Sequence, residues 1–204
     1  MMTDMLRSLR FAVVTLLLTG ILYPVVVTGI AQVVFPRQAA GSLVQDESGK
    51  VVGSSLIGQR FRNPGYFQPR PSAAGKDGYD GLSSGGSNYG QTSATLKDRV
   101  TAEIERLKKE NPAAPSRIPV ELVTTSASGL DPHLSPAGAF WQIPRVAAAR
   151  GVDPARIQSV VESLTEGPDL GIFGQARVAV LPLNLALDRR FGRPDNPIPA
   201  SGGH

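Results

Sequence analysis

The hydropathy pattern is dominated by one uncharged apolar segment near the N-terminus, residues 11–35. A helix rises about 1.5 Å per residue, so a helix of this length extends about 37 Å and can cross a hydrocarbon core about 30 Å thick. Pro24 cannot donate a hydrogen bond to the carbonyl of Gly20, and we therefore expect the helix to loosen between these two residues. The pattern predicts a transmembrane helix over residues 11–35.

Basic residues flank this segment unequally. Arg7 and Arg10 precede it, whereas only Arg37 follows it closely. Because cytoplasmic flanks are enriched in Lys and Arg, we expect residues 1–10 in the cytoplasm and the chain after residue 35 outside it. The alternative is a cleaved signal peptide, processed near the Gly-Ile-Ala sequence at 29–31. The apolar part of a signal peptide usually has about 7–15 residues, so the length here favours a retained anchor.

Small and hydrogen-bonding residues interrupt the apolar segment at Thr19, Gly20 and Pro24. Such residues allow helices to approach closely within a bilayer, and they predict that this part of the segment contacts other membrane helices. The alternative is that glycine and proline are simply common in membrane spans.

Residues 36–192 contain three clear helical patterns. The first is predicted to begin near Thr92 or Ser93 and to end at Asn111-Pro112, with one apolar face. The second and third are predicted to begin at Ser135-Pro136 and Asp153-Pro154, where a capping side chain precedes a proline. Gly151 should end the second helix, and Pro144 should kink or break it.

Extended patterns occur between these helices. Residues 42–44 and 51–52 predict a hairpin, residues 120–123 and 178–181 predict single strands, and residues 184–190 predict a short final helix. Residues 62–91 have no periodic pattern, and residues 193–204 should form a flexible tail. We therefore predict an α/β (mixed α+β) soluble domain over residues 36–192, behind a single N-terminal transmembrane helix.

Composition excludes several kinds of chemistry. The chain has no cysteine, which excludes disulfides, thiolate zinc sites, iron–sulfur clusters and a cysteine nucleophile. His133 and His204 are the only histidines, so we expect no metal site. The net charge of +4 is too small an excess to predict a nucleic-acid partner.

Two groups of polar residues could carry chemistry of other kinds. Asp131, His133 and nearby serines (Ser126, Ser128 and Ser135) have the residue types of a hydrolase, but there is no G-x-S-x-G motif and the Asp-Pro-His sequence is typical of a turn. We therefore predict no catalytic residue.

A glycine-rich loop at 84–88 could bind an anion through its amides, although it lacks the lysine of a P-loop. Gln142, beside Trp141 and followed by Arg145 and Arg150, could contact a nucleobase. Equally, Trp141 could belong to the core and the arginines to the surface.

Several longer stretches resemble one family, in order along residues 11–190. They are Tyr-Pro at 23–24, Gly-Ser-Leu at 41–43, GSSLIGQRF at 53–61, YFQPRPSAA at 66–74, SGGSN at 84–88, PVELVTTSASGLDPHLS at 119–135, QIPRVAAAR at 142–150 and LNLALD at 183–188. Together they resemble the C subunit of the Kdp potassium-transporting P-type ATPase.

The resemblance implies a non-catalytic accessory subunit in the bacterial plasma (inner) membrane. It would be needed for assembly and stabilisation of a complex with a channel-like potassium-binding subunit, a P-type ATPase subunit and a small single-span subunit, with membrane lipid around its helix. An alternative that the resemblance also implies is a catalytic chaperone that binds ATP and raises the nucleotide affinity of the ATPase subunit. The residues carried over for that role are Ser84, Gly85, Gly86, Ser87 and Gln142.

These two implications conflict with each other. The arginine bias places residues 36–192 outside the cell, whereas ATP is inside it. The physical interpretation therefore favours a structural or gating role over the potassium entrance, with no firm cofactor and with potassium bound by the partners.

Overall fold

A computed structural model describes residues 2–46 and 48–194. The tail predicted at 193–204 lies almost entirely outside the described residues, and so does His204. The chain divides into two compact units, residues 1–44 and residues 45–204.

The first unit consists mainly of one long helical run. Helix α1 (Met2–Leu17) continues through a π-helical turn (Leu18–Leu22) into helix α2 (Tyr23–Val34). Within the described residues this run is the one segment long and apolar enough to cross a membrane. A short helix α3 (Pro36–Ala39) follows.

The π-helical turn confirms the expected loosening before Pro24. Proline has no amide hydrogen, so the regular ladder cannot continue to the Gly20 carbonyl, and a π turn is one way for a helix to absorb that loss. The Thr19 hydroxyl donates to the Thr15 carbonyl at 2.8 Å, which pairs its polar group within the helix.

In the rest of the described residues the elements are four longer helices, one 3₁₀ turn and five short strands. In chain order they are β1 (Leu43–Gln45), β2 (Val51–Ser54), α4 (Ala94–Glu110), the 3₁₀ turn (Val120–Leu122), β3 (His133–Leu134), α5 (Pro136–Arg150), α6 (Pro154–Ser163), β4 (Thr165–Glu166), β5 (Arg177–Ala179) and α7 (Val180–Phe191). Together with the N-terminal helix, this confirms the predicted mixed α/β class.

The predicted helix starts are confirmed by their caps. Ser93, Ser135 and Asp153 each accept a hydrogen bond from an amide in the first turn of α4, α5 and α6. Gly151 ends α5 in the left-handed region, at φ +62°.

A three-stranded antiparallel sheet supports the helices of the second unit. Strand β5 lies in the centre, so that Val178 pairs with Leu134 on one side and with Thr165 on the other. Val178 and Leu134 are buried together with Ile157 of α6 and Leu183 of α7. The core therefore lies between this sheet and helices α5, α6 and α7, with α4 contributing Leu107.

One prediction about local structure was wrong, and two others hold only in part. Residues 120–122 form a 3₁₀ turn instead of a strand, because Glu121 turns back so that its carboxylate accepts from the amide and hydroxyl of Ser135. Helix α7 begins at Val180, inside the predicted strand, since Pro182 lies in a first helical turn, where no amide is needed. Pro144 was expected to kink or break helix α5, and the helix continues through it without a break, with buried residues on both sides.

Several loops converge on the segment 125–131. Its Leu130 carbonyl accepts from the Gly58 amide, and its Ser128 carbonyl accepts from the Gly85 amide, both at 2.8 Å. At its centre Gly129 has φ +67°, and a Cβ there would lie 2.6 Å from the Gly85 oxygen and 2.7 Å from the Ala74 nitrogen. Only glycine fits this position without movement of the neighbouring backbone.

We therefore expect a graded series of glycine-to-alanine effects on the free energy of unfolding. Gly129→Ala should lower it by about 2–4 kcal/mol, because both the backbone angle and the space are unfavourable. Gly151→Ala, with positive φ but open space, should cost about 1 kcal/mol. Gly167→Ala has neither problem and should change the value by less than about 0.5 kcal/mol.

The measurement is urea unfolding of the full chain in detergent, followed by the fluorescence of Trp141. This residue is the only tryptophan, and it is 5% exposed. Equal losses for all three variants would contradict the steric account of Gly129.

Candidate functional site

A polar cleft of about 590 Å³ opens on the second unit. Helix α4 contributes Glu103, Arg106 and Glu110 to one wall. The loop after β2 contributes Arg60, Arg62 and Tyr79 to the other, and Gln68 and Gln142 also line the cleft. Because it brings several charged and amide side chains together around one cavity, the cleft is the first place to look for a ligand or a catalytic group.

The charged groups of α4 pair with one another inside the cleft. The Arg106 guanidinium contacts Glu103 at 2.5 Å and Glu110 at 2.6 Å. The hydrogen bond to Glu103 is the main reason why the pKa of Arg106 is raised. Both carboxylates are thus paired with an arginine, an arrangement that does not provide a free general acid or base.

The opposite wall is fixed by hydrogen bonds to the backbone. Arg60 donates to the Asp77 carbonyl, and its guanidinium lies 5.7 Å from the centre of the Tyr79 ring. The Tyr79 hydroxyl donates to the Arg70 carbonyl at 2.7 Å, and burial raises the pKa of Tyr79 to about 12. The phenol therefore stays a hydrogen-bond donor at neutral pH. Across residues 2–46 and 48–194, no group of three acidic or imidazole side chains could hold a metal ion.

The segment 64–68 reaches this cleft at Gln68, and each of its carbonyls is bound by a side chain from α5 or α7. We call the four side chains that bind them, Gln142, Arg145, Arg150 and Asn184, the carbonyl clamp. Two of them act through paired bonds. Asn184 accepts from the Phe67 amide at 2.8 Å and donates to the Phe67 carbonyl at 2.9 Å. Gln142 forms the same pair of bonds with Gln68, both at 2.9 Å.

Arg145 binds two further carbonyls from inside the protein. It donates to Pro64 at 2.5 Å and to Tyr66 at 3.1 Å, and it also donates to the Gln142 side-chain oxygen at 2.7 Å. Burial lowers the pKa of Arg145 to about 10, which still leaves the guanidinium charged at neutral pH. Its charge is stabilised by oxygen dipoles rather than by a contacting carboxylate.

Arg150 completes the clamp at the Gly65 carbonyl, to which it donates at 2.6 Å. It also pairs with Asp188 at 2.8 Å and lies over the Tyr66 ring at 5.1 Å. The Tyr66 hydroxyl donates to the same carboxylate at 2.7 Å. Burial, reinforced by this hydrogen bond, raises the pKa of Tyr66 to about 12. The segment is therefore held by charges as well as by amides.

The residues predicted to bind nucleotide lie at two different places. Gln142 is 2% exposed, and both ends of its amide bind Gln68. In the loop at 84–87, the Ser84 hydroxyl and the Gly85 amide donate to the Ser128 carbonyl, and the Ser87 hydroxyl contacts Thr125. Gly86 packs against the backbone of Ala127. The loop does not line the cleft that contains Gln142, and nucleotide binding stays a prediction.

The residues with hydrolase character serve local structure. Asp131 accepts from the His133 amide, and Ser135 caps α5 while donating to Glu121. The Ser128 hydroxyl accepts from the Leu130 amide. Each of these groups fixes a turn or a cap, which does not provide the nucleophile–base contact that a triad needs.

Sequence reasoning missed the carbonyl clamp. Trp141 belongs to the core, as one of the two interpretations predicted, but Arg145 and Arg150 were not expected to bind backbone. A usable signal was present, because Gln142 and Asn184 lie beside strongly apolar neighbours on their helices. A buried amide in such a position must find partners.

Comparisons with known proteins give a consistent result. A family profile described as "K+-transporting ATPase, c chain" matches residues 5–189. A "Potassium-transporting ATPase KdpC subunit" of Myxococcus xanthus is 59% identical over 203 residues, which cover 100% of this chain and 96% of the relative. The subunit of the same name from Nitratidesulfovibrio vulgaris is 54% identical, covering 88% and 92%. That from Rhodopseudomonas palustris strain TIE-1 is 52% identical, covering 90% and 98%.

We expect Asn184→Leu to lower the free energy of unfolding by about 2–4 kcal/mol. Leucine fills a similar volume but leaves the amide and the carbonyl of Phe67, a fully buried residue, without partners. The matched control is Gln158→Leu on α6, where the exposed amide contacts only Glu162 of the same helix and the loss should stay below about 0.5 kcal/mol. Urea unfolding of the full chain in detergent measures both variants, and equal stability of the two would contradict the role given to the clamp.

Proposed function

The chain belongs to the KdpC family of potassium-transporting ATPase subunits, and from that premise we propose that it is a non-catalytic accessory subunit of the complex. In this role it would assemble and stabilise the channel-like and ATPase subunits without binding potassium or nucleotide itself. The observation that carries the proposal is that the polar side chains of the clamp and the cleft have their hydrogen-bond partners within the domain itself. The clamp residues and the charged pairs of the cleft are committed to holding the domain's own backbone and to one another.

We further propose a single-pass arrangement in the bacterial inner membrane. The N-terminal segment, residues 1–10, would lie in the cytoplasm, residues 11–35 would cross the bilayer, and the domain over 36–192 would be extracytoplasmic. The support is the length and apolar character of the N-terminal helical run, together with Arg7 and Arg10 at its start. An external domain would have no access to cytoplasmic ATP, so this arrangement also argues against the nucleotide-binding alternative.

The membrane helix would contact its partners through Thr19, Gly20 and Pro24. The π turn places Gly20 where a Cβ would meet only Leu16 of its own helix, at 3.8 Å, so the backbone is open to a close neighbour there. Because the Thr19 hydroxyl is already paired, a neighbouring helix can pack on this surface without leaving that group unsatisfied.

We expect the double substitution Gly20→Leu with Pro24→Leu to reduce recovery of the assembled complex at least fivefold. The larger side chains would hold a neighbouring helix away from the backbone at the π turn. The measurement is affinity purification of the ATPase subunit from cells that co-express all subunits, followed by quantification of this chain in the eluate. Val33→Leu is the control, because it enlarges an exposed residue of the same helix outside this surface, and recovery should not change. Equal recovery of the wild-type chain and the double variant would refute the proposed contact surface, and failure of the wild-type chain to co-purify would refute the accessory role.

A further inference from the structure

The chain that follows α7 is fixed to three other parts of the second unit, although it forms no helix or strand there. We call these residues the strap: Gly192, Arg193 and Pro194. Arg150 of α5 donates to the Gly192 carbonyl at 2.7 Å, and the Asn63 side chain donates to the Pro194 carbonyl at 3.4 Å. The Arg193 guanidinium donates to the Asp46 carboxylate at 3.1 Å. The strap therefore joins segments that lie far apart in the sequence.

The strap also packs closely on the segment that the clamp holds. A Cβ at Gly65 would lie 2.7 Å from the Cβ of Pro194 and 3.0 Å from its Cγ, and both atoms belong to the proline ring. The ring thus lies directly on the backbone of Gly65, whose carbonyl accepts from Arg150 at 2.6 Å. A side chain at position 65 would fit only if the strap moved away.

The hairpin of β1 and β2 depends on contacts with the rest of the chain. Among the described residues it is a separate two-stranded sheet, and Val51 is 46% exposed. An isolated hairpin of two strands is at best marginally stable in water. One supporting contact is at Gly53, where a Cβ would lie 3.0 Å from Leu181 of α7. The ion pair between Asp46 and Arg193 is another.

Asp46 couples the strap to the turn of this hairpin. One oxygen of its carboxylate accepts from Arg193, and the other accepts from the amides of Ser48 and Lys50 at 2.9 and 3.1 Å. The Asp46 side chain is 10% exposed, whereas the Arg193 side chain is 73% exposed. Exposed ion pairs are weak and are screened by salt, so this pair can open while the core stays folded.

We propose that the strap is a conformational device that holds the β1–β2 hairpin on the second unit and opens at the ion pair between Arg193 and Asp46. Opening loosens the turn that Asp46 organises and releases the hairpin from the strap. Because the hairpin follows the N-terminal helical run in the chain, its release lengthens the connection between that run and the rest of the second unit. These contacts lie within the second unit, so the device does not depend on the proposed accessory function.

The first test is amide hydrogen exchange of the full chain in detergent, measured by NMR at Ser48 and Lys50. Arg193→Gln should raise both exchange rates at least about fivefold, because it removes the charge that fixes the Asp46 carboxylate. The control is Arg190→Gln, which removes an equal charge from an exposed position on α7 and should leave both rates unchanged. High salt should raise the same two rates in the wild-type chain but not in Arg193→Gln.

Three results would overturn the device. The first is an equal effect of Arg193→Gln and Arg190→Gln, and the second is a wild-type chain whose two rates do not respond to salt. The third is a parallel rise at the Val180 amide, which donates to the Pro132 carbonyl beside the central sheet, because that would indicate a general loss of stability.

The second test moves the strap while both charged residues stay in place. Gly65→Ala puts a methyl group against Pro194, and the exchange rates at Ser48 and Lys50 should rise at least about threefold. The control is Gly167→Ala, where a Cβ meets nothing within 4 Å, and the rates should not change. Wild-type rates in a folded Gly65→Ala chain would show that the strap does not hold the hairpin. Should Gly65→Ala not fold, as judged by Trp141 fluorescence, the Arg193→Gln rates decide.

Discussion

The architecture of the second unit depends on binding the backbone of an irregular segment. Residues 64–68 belong to no helix or strand, so their carbonyls are not paired by regular secondary structure. Phe67 nevertheless lies in the core, and buried carbonyls must be hydrogen-bonded. Side chains of α5 and α7 supply those bonds at every carbonyl of the segment. Because the clamp residues come from α5 and α7, the segment links these two helices. The segment also runs from Phe67 in the core to Gln68 at the cleft.

Local structure was predictable where its causes are local. The starts of α4, α5 and α6 depend on a capping side chain three residues or fewer from its partner, and the π turn depends on one missing amide. The clamp was not predictable in this way, since Asn184 and Phe67 are 117 positions apart and Gln142 and Gln68 are 74 apart. The strand predicted at 120–123 was wrong for the same reason, namely a contact between residues distant in the sequence. The hydrogen bonds from Ser135 to Glu121 decide the conformation there.

The family could be identified from the sequence, but the role of single residues could not. Gln142 has the residue type and the neighbours of a nucleobase contact, and in the structure its amide holds the backbone of Gln68. The stretch QIPRVAAAR at 142–150 identifies the family. It does so whether its residues contact a nucleobase or bind the backbone of the domain. The structure adds the partners that Gln142 and Arg145 have within the domain, which the sequence does not give.

The central proposal is that the second unit lies outside the cell and acts there by assembly rather than by binding ATP. The chain has no cysteine, so single cysteines can report its topology without background. Ser8→Cys and Leu82→Cys would be expressed separately with the rest of the complex and treated in intact cells with a maleimide that cannot cross the membrane. The account predicts labelling at Leu82→Cys alone, with Ser8→Cys labelled only after the cells are opened. Labelling of Ser8→Cys in intact cells, together with protection of Leu82→Cys, would contradict the claim and place the domain on the side where ATP is present.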